Sequence, residues 1–285
     1  MKWISKLLIS VLLPVLAWAE HPAANHVWEQ AAYGDIPGIT LVELIGTNAA
    51  ITTTFEPIWA ESAAYTVRTA AMTTPVICST SANDAAAGTG ARTATVTGVN
   101  TSYAAFSESK TLNGVTAVAL TTSNVLFIND IVVATVGSGG VNAGIIRVGT
   151  TACDGSGVPT VATDAHVPVG HNKSQSFMRA VPDNYSLLCR NITVGSYDAT
   201  ISRTAQFVLD KYVDPVSAKV LLRDFLPAMV DTQAPTATYP GVIKFAEKTI
   251  VVLQALSAAS TGPIMARAEC LLISDTWAAT AQDLF

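Results

Sequence analysis

Residues 92–99 read RTATVTGV, and small polar residues alternate with apolar residues along this stretch. A period of two places every second side chain on the same face, which is the pattern of a half-exposed β-strand. Helical periodicity is weak, because the best helical candidate, Leu221–Val230, contains Pro227. Strand-like segments recur about every 8–12 residues, which favours a sandwich or barrel over βαβ units. The other strand-like segments are Ile39–Ile45, Tyr103–Lys110, Val125–Val136, Gly144–Val148, Ser176–Val181, Tyr185–Val194, Ile201–Tyr212, Val216–Phe225, Thr249–Leu256 and Ile264–Ser274.

Turn and loop signals divide these strands into two groups. The pair Asn113-Gly114 lies between two strand-like runs and predicts a tight hairpin. Thr150–Gly170 is rich in Gly, Pro, Ser and Asp and predicts a linker or a long crossing loop, while Asp231–Gly241 contains two prolines and predicts an irregular loop. The sequence therefore predicts an all-β fold of two β-sandwich or jelly-roll-like modules, residues 35–160 and residues 161–285. Little helix is expected apart from the N-terminal leader.

Composition excludes several classes of protein. Half of the 285 residues are apolar and only 13% are charged, whereas disordered chains are rich in charge and poor in apolar residues. The net charge is −5 and there is no basic run, so the chain lacks the cationic face on which nucleic-acid binding depends. Beyond the N-terminus no apolar run reaches the roughly 18 residues that a spanning helix needs, which excludes a polytopic membrane protein.

The N-terminus has the layout of a secretory signal peptide over residues 1–19. Two lysines precede an apolar stretch, Leu7–Trp18, and an A-x-A pattern predicts cleavage after Ala19. The alternative is an uncleaved apolar arm that inserts into a neighbouring subunit. Residues 20–34 are predicted to form an N-terminal arm, either a short helix or an extended segment.

Four cysteines, Cys78, Cys153, Cys189 and Cys270, fit an exported chain. Four cysteines allow three connectivities, and none of them belongs to a C-x-x-C pair. We favour a Cys189–Cys270 bridge because both residues fall in strand-like runs of the C-terminal half, which leaves Cys78 to pair with Cys153. The alternative is four buried free thiols, which protein interiors tolerate well.

No motif predicts an enzyme, a cofactor site or a metal site. His166 and His171 lie five residues apart in a predicted loop, but a third ligand is not evident, so we interpret both as surface histidines. Asp84 is the only carboxylate between Cys78 and Arg92, which is too little acidity for calcium, so we interpret it as the Asx cap of a turn. The run Gly137–Gly140 is followed by neither a lysine nor a helix, as a phosphate-binding loop would require.

An ordered series of short motifs points to a family. The series contains NDAAAGTGART at Asn83–Thr93, TLNG at Thr111–Gly114, FIN at Phe127–Asn129, GSGG at Gly137–Gly140 and NAG at Asn142–Gly144. It resembles a group of tailed-bacteriophage structural proteins, of the type common in marine phage genomes. The resemblance implies a β-rich virion component, such as a capsid-decoration, head-fibre or tail-associated subunit.

Composition agrees with an assembly subunit. Surfaces of Thr, Ala and Val can be buried between copies without the desolvation cost of Lys and Glu, and assembly protects open sheet edges. We therefore expect a non-enzymatic homo-oligomer that contacts other shell or surface proteins, located in a virion or exported. The alternative is an exported cell-surface or adhesive β-sandwich binding protein; a carbohydrate hydrolase on a sandwich fold is a third, weaker hypothesis.

Overall fold

The structure is a computed structural model that describes residues 26–62, 64–196, 205–217, 220–230, 236–257 and 262–277. Over these residues strands dominate, and helix is limited to one eight-residue helix and a short helical segment at residues 275–277, so the predicted all-β class is confirmed. In chain order the elements are α1 (His26–Tyr33), β1 (Ile39–Ile51), β2 (Glu56–Pro57), β3 (Pro75–Ser79), β4 (Ala91–Asn100), β5 (Ala105–Thr111), β6 (Val118–Ala119), β7 (Val125–Val136), β8 (Ile146–Thr150), β9 (Thr163–Val167), β10 (Met178–Ala180), β11 (Tyr185–Ser196), β12 (Ala205–Val213), β13 (Val220–Val230), β14 (Thr236–Phe245), β15 (Thr249–Ser257) and β16 (Gly262–Ser274).

Two antiparallel sheets form a sandwich. The β1 sheet has the strand order β1-β16-β11-β14, and the β15 sheet has the order β10-β15-β12-β13 with β2 beside β15. Alternation drives this packing: in β16 the side chains of Ile264, Ala266, Ala268 and Cys270 are buried, while most residues between them are more exposed. These inward positions belong to one apolar core, which also contains Phe207 of the β15 sheet.

Residues 75–167 form a second unit, which we call the insert. It contains two more antiparallel sheets, with strand orders β6-β3-β8-β9 and β5-β4-β7. Its own core buries aliphatic side chains from both sheets, including Ile77, Val96, Ile131 and Ile146. The insert therefore has the layered architecture of a small domain, although its first sheet is built from strands of only two to five residues.

The strand pairing differs from the expected division at residue 160. β1 belongs to the sandwich, because it pairs along its length with β16, from Ile39 opposite Ile273 to Ile51 opposite Gly262. β2 likewise pairs with β15. The chain thus starts the sandwich, leaves it to build the insert, and returns at β10. Alternation shows that a segment is a strand, but it does not show which distant strand is its partner.

Several local expectations also differ from the structure. Asn113-Gly114 does not join a hairpin, because β5 pairs with β4 whereas β6 pairs with β3 in another sheet. The predicted linker contains β9. Strand β14 begins within the predicted irregular loop, and β13 covers the whole helical candidate. Pro227 and Pro240 are tolerated because β13 and β14 are edge strands of their sheets, where a missing N–H costs no ladder bond.

The insert packs against the outer side of the β15 sheet. A third apolar cluster contains Trp59, Leu126 and Phe127 together with Met178 and Val252 of that sheet. Asn129 connects the two units directly: its Nδ2 donates to Ala180 O at 3.1 Å, and its Oδ1 accepts from Ala180 N at 2.8 Å. Because both its donor and its acceptor are used, Asn129 of the FIN motif fixes β7 against β10.

Helix α1 covers part of the outer face of the β1 sheet. Ala31 packs against Ile39 and Leu271, and the Arg190 guanidinium lies 3.9 Å from the centre of the Trp28 ring. The predicted arm over residues 20–34 is thus helical from His26 to Tyr33. The predicted signal peptide lies outside the described residues. Within the part of the chain that the structure describes, no helix has the length and apolar character to cross a membrane.

Candidate functional site

The motif series converges on one buried carboxylate, that of Asp84. Its side chain is fully buried and accepts four hydrogen bonds. Oδ1 accepts from the backbone N–H of Ala91 at 2.7 Å and of Ala143 at 2.8 Å, while Oδ2 accepts from Ser79 Oγ at 2.5 Å and Gly144 N at 2.8 Å. These partners lie in three separate segments, so Asp84 joins segments of the insert rather than capping a single turn.

Glycines of the same series allow the backbones to approach. A Cβ on Gly90 would lie 2.2 Å from Asp84 Oδ1, and one on Gly137 would lie 2.2 Å from Gly88 O. The TLNG motif joins the same network, because Gly114 N donates to Asp84 O at 2.7 Å. The series therefore encodes a structural centre, which we call the Asp84 knot.

The described residues contain no group of three or more His, Cys, Asp or Glu side chains that could hold a metal ion. His166 is buried and His171 is exposed, so the two histidines do not form a pair. The sequence expectation of a surface location is wrong for His166, whose Nδ1 lies 2.5 Å from Glu61 Oε2. The signal for this contact was absent from the sequence, since the two residues are far apart in the chain.

A polar cleft of about 600 Å³ lies where the insert meets the sandwich. Residues 64–71, which have no regular structure, form one wall, and Val161–Asp164 form another. Trp59 and Glu61 complete the lining. Trp59 is buried beneath the cleft, where its ring packs edge-on against Tyr65 at a centroid distance of 5.5 Å.

Arg68 and Asp164 form a two-pronged ion pair in this cleft. Arg68 Nε donates to Asp164 Oδ1 at 2.6 Å, and Nη2 donates to Oδ2 at 2.8 Å. Burial raises the pKa of Asp164, and the bonds from Arg68 oppose that effect. Because both carboxylate oxygens are held by one guanidinium, Asp164 is placed to fix Arg68 rather than to exchange protons with a ligand.

Glu61 is the second carboxylate of the cleft. Arg147 Nε donates to its Oε2 at 2.8 Å, and His166 Nδ1 contacts the same oxygen. Burial alone would raise the pKa of Glu61, but the hydrogen bonds from His166 and Arg147 outweigh it and lower that pKa. Glu61 is therefore a fixed anion near neutral pH.

A second feature of interest is the outward side of the β5-β4-β7 sheet. It carries an array of small side chains, and we call it the hydroxyl face. Thr93 and Thr135 share a hydrogen bond at 2.7 Å between their hydroxyls, and Thr95 and Ser109 share one at 2.8 Å. One corner carries charge, where Lys173 Nζ lies 3.6 Å from Asp130 Oδ2. By strand register the rows of the array are Thr111, Thr93 and Thr135; Ser109, Thr95 and Val132; and Ser107, Thr97 and Asp130.

The structure joins the cysteines in the pairs that the sequence analysis favours. Cys189 and Cys270 lie directly opposite each other on β11 and β16, with Cα atoms 4.0 Å apart. Cys78 on β3 is joined to Cys153 across a Cα distance of 6.6 Å, which fastens the loop after β8 to the insert. Each unit of the molecule thus contains one disulfide.

Comparisons with known proteins give no family. No protein-family model matches the chain, and no curated protein matches it. Among solved structures, a chain from the structure of the infectious bursal disease virus Gx strain aligns with this one. The identity is 10% over 83% of this chain and 73% of that chain, and the TM-score is 0.25. The VP2 subviral particle of the same virus aligns at 10% identity over 89% of this chain and 79% of that one, also at a TM-score of 0.25. A TM-score this low does not establish a common fold.

Proposed function

We propose that this chain is a non-enzymatic structural subunit that assembles with copies of itself in a virion or an extracellular assembly. The observation that carries the proposal is the hydroxyl face. It is an outward sheet surface made mainly of small side chains, with the Lys173–Asp130 ion pair at one corner. The low content of charged residues in the whole sequence agrees with such a surface.

The physical reason is the cost of removing water. Burying a charged side chain costs much more than burying a hydroxyl that already has a partner. The lateral bonds between Thr93 and Thr135 and between Thr95 and Ser109 supply such partners before any contact forms. By contrast, the outer face of the β1 sheet carries the ion pairs Glu43–Arg267 and Arg190–Glu269, which would have to be dehydrated.

The resemblance of the motif series supports three alternative places for the subunit in the assembly. Because the series resembles tailed-phage structural proteins, the proposed roles are capsid decoration, head fibre or tail association. The Asp84 knot gives those motifs a structural purpose, as expected for a protein whose function is to hold a shape.

Sedimentation velocity and negative-stain microscopy test the proposal. We expect regular particles or fibres from the wild-type chain, and Thr95→Lys should dissociate them by placing a charge in the middle of the hydroxyl face. Thr193→Lys is the matched control, since Thr193 and Thr238 form a similar exposed hydroxyl pair, 3.0 Å apart, on the β1 sheet. A monodisperse wild-type monomer, or equal effects of the two lysines, would contradict the proposal.

A second candidate function is an exported binding protein at a cell surface. The cleft favours it, because a purely structural subunit has no need of an open pocket lined by fixed ion pairs. Mass spectrometry of the native protein helps to distinguish the two functions. A mature chain that starts at Glu20 supports export, and an intact Met1 supports an assembly arm.

A further inference from the structure

The cleft between the insert and the sandwich is charge-balanced. Glu61 faces Arg147, and Asp164 faces Arg68, so each carboxylate is matched by one guanidinium. A ligand of either sign would have to compete with a charge that is already paired. Charge balance therefore disfavours phosphates, carboxylates and cations as the ligand and favours an uncharged molecule.

The same groups are rigid and directional. The three ionic side chains that line the cleft, Glu61, Arg68 and Asp164, are held by hydrogen bonds of 2.5–2.8 Å and present fixed donors and acceptors. Arg68 and Glu61 remain partly open, with about one fifth of each side chain exposed. Fixed planar groups of this kind can each bind two adjacent hydroxyls of a ligand, because guanidinium and carboxylate both bond in pairs.

Two buried polar atoms strengthen the argument. Tyr65 Oη and Arg147 Nη1 have no hydrogen-bond partner among the described residues. Tyr65 lines the cleft, and Arg147 holds Glu61, which also lines it. A buried polar atom without a partner is costly, so native structures rarely keep one without a reason. A hydroxyl-rich ligand in the cleft would supply a partner for Tyr65 Oη, the one of the two that belongs to a lining residue.

We propose that this cleft binds a neutral saccharide. Its volume of about 600 Å³ lies within the usual range of small-molecule sites and accommodates two or three sugar rings. Thr66, Thr69 and Thr163 add hydroxyls to the lining, and Ala70 and Ala71 add methyl surface against which the apolar faces of sugar rings pack. This inference concerns binding alone and is independent of whether the hydroxyl face drives assembly.

Saturation-transfer NMR and calorimetry on the full chain test it with a fixed panel: lactose, maltose, cellobiose, chitobiose, mannobiose and maltotriose. We expect at least one to bind with a dissociation constant of about 1 mM or tighter. Tyr65→Phe keeps the ring and removes only the unpartnered hydroxyl, so it should leave folding intact and weaken binding about two- to ten-fold. Glu61→Gln should weaken binding as well.

Tyr103→Phe is the matched control, because Tyr103 belongs to the same apolar cluster as Tyr65 but does not line the cleft. It should leave the affinity unchanged. Three results would overturn the proposal: no binding by any sugar of the panel at about 10 mM, equal binding by wild type and Tyr65→Phe, or tighter binding of sialyllactose or inorganic phosphate than of every neutral sugar. The last result would identify an anion site instead.

Discussion

The insert and the sandwich each contain one disulfide and one fully buried aspartate, but they use them differently. In the sandwich, Cys189–Cys270 lies inside the core between two central strands, and Asp210 is held by side chains, those of Arg223 and Gln254. In the insert, Cys78–Cys153 ties a loop to a strand, and Asp84 is held mainly by backbone N–H groups.

The difference follows from strand length. The sandwich has strands of nine to thirteen residues in the centre of its sheets, whose ladders and apolar faces fix the register without help. The insert has a sheet of short strands joined by long loops, and loop backbones need partners for their N–H groups. A buried carboxylate with four lone-pair sites supplies those partners at one point. The polar centre of the insert thus replaces part of what packing does in the sandwich.

The two disulfides give the sharpest test of this contrast. The bridges enclose similar lengths of chain, 81 and 75 residues apart, so chain entropy predicts a similar loss of on the order of 4 kcal/mol when either is removed. Cys189→Ala with Cys270→Ala should cost about 2 kcal/mol more than Cys78→Ala with Cys153→Ala, because both of its sulfurs lie in the apolar core of the sandwich, whereas Cys153 is only half-buried and leaves less of a void. Urea unfolding measures both. Equal costs would show that the core location contributes nothing.

Asp84→Asn should be the next most destabilising change. The amide retains one acceptor and turns its nitrogen toward the N–H of Gly144, which is itself a donor, so at least one backbone N–H group of the knot is left unpaired and faces a second donor. We expect a loss of about 4 kcal/mol in the free energy of unfolding. Asn83→Ala, at the exposed neighbouring position, is the control and should change stability by less than about 0.5 kcal/mol. Hydrogen exchange should locate the added opening in the insert and not in β11 or β16.

Asp210→Asn should cost less, about 2 kcal/mol, although Asp210 is as deeply buried as Asp84. Its main partner, Arg223, has 38% of its side chain exposed and can turn to water when the carboxylate is lost. Asp224→Asn serves as the control. Asp224 lies next to Arg223 on β13, and its exposed ion pair with Lys211 contributes little to stability. If Asp210→Asn equals or exceeds Asp84→Asn, the proposed difference between side-chain and backbone partners is wrong.

The smallest expected effect concerns acid and the edge strand β5 of the insert. Although burial opposes it, hydrogen bonds from Lys110 and from Thr121 and Thr122 N–H lower the pKa of Glu108 to about 2 from 4.5. The folded pKa is below the unfolded one, so the contribution of Glu108 is fully present above pH 4.5 and is lost as pH falls towards 2. Glu108→Gln should remove this part of the pH dependence of unfolding, and a ¹³C titration of the carboxyl should find the midpoint near 2.

Local pattern predicted the strands better than their partners. The segment Val125–Val136 was predicted with the bounds that β7 has, because β-branched residues and alternation are local properties. Asn113-Gly114 was misleading for the same reason: Gly114 does have a positive φ, but its N–H bonds to Asp84 instead of closing a hairpin. Pro240 suggested a loop where an edge strand lies, since proline excludes a central ladder position and not an edge.

The sites were beyond the reach of local pattern altogether. Asp84 meets Ala143 and Gly144 across about sixty positions of the sequence, and Glu61 meets His166 across 105. Nothing in the sequence around Asp84 distinguishes it from a turn residue. The ordered motif series did contain the answer in another form, because its members other than FIN are the segments that Asp84 and the close-approach glycines hold together.

The pairing of β1 with β16 has a consequence for how the molecule is made on the ribosome. β1 is synthesised early, but its neighbour in the sheet, which includes Ile273, emerges only after the whole insert and most of the sandwich. The insert contains all of its own strand partners and can therefore fold first, while β1 waits with an exposed edge. Contacts so distant in sequence make for slow folding. During that interval β1 is the segment most open to pairing with a neighbouring nascent chain, and a holding chaperone would have its greatest effect there.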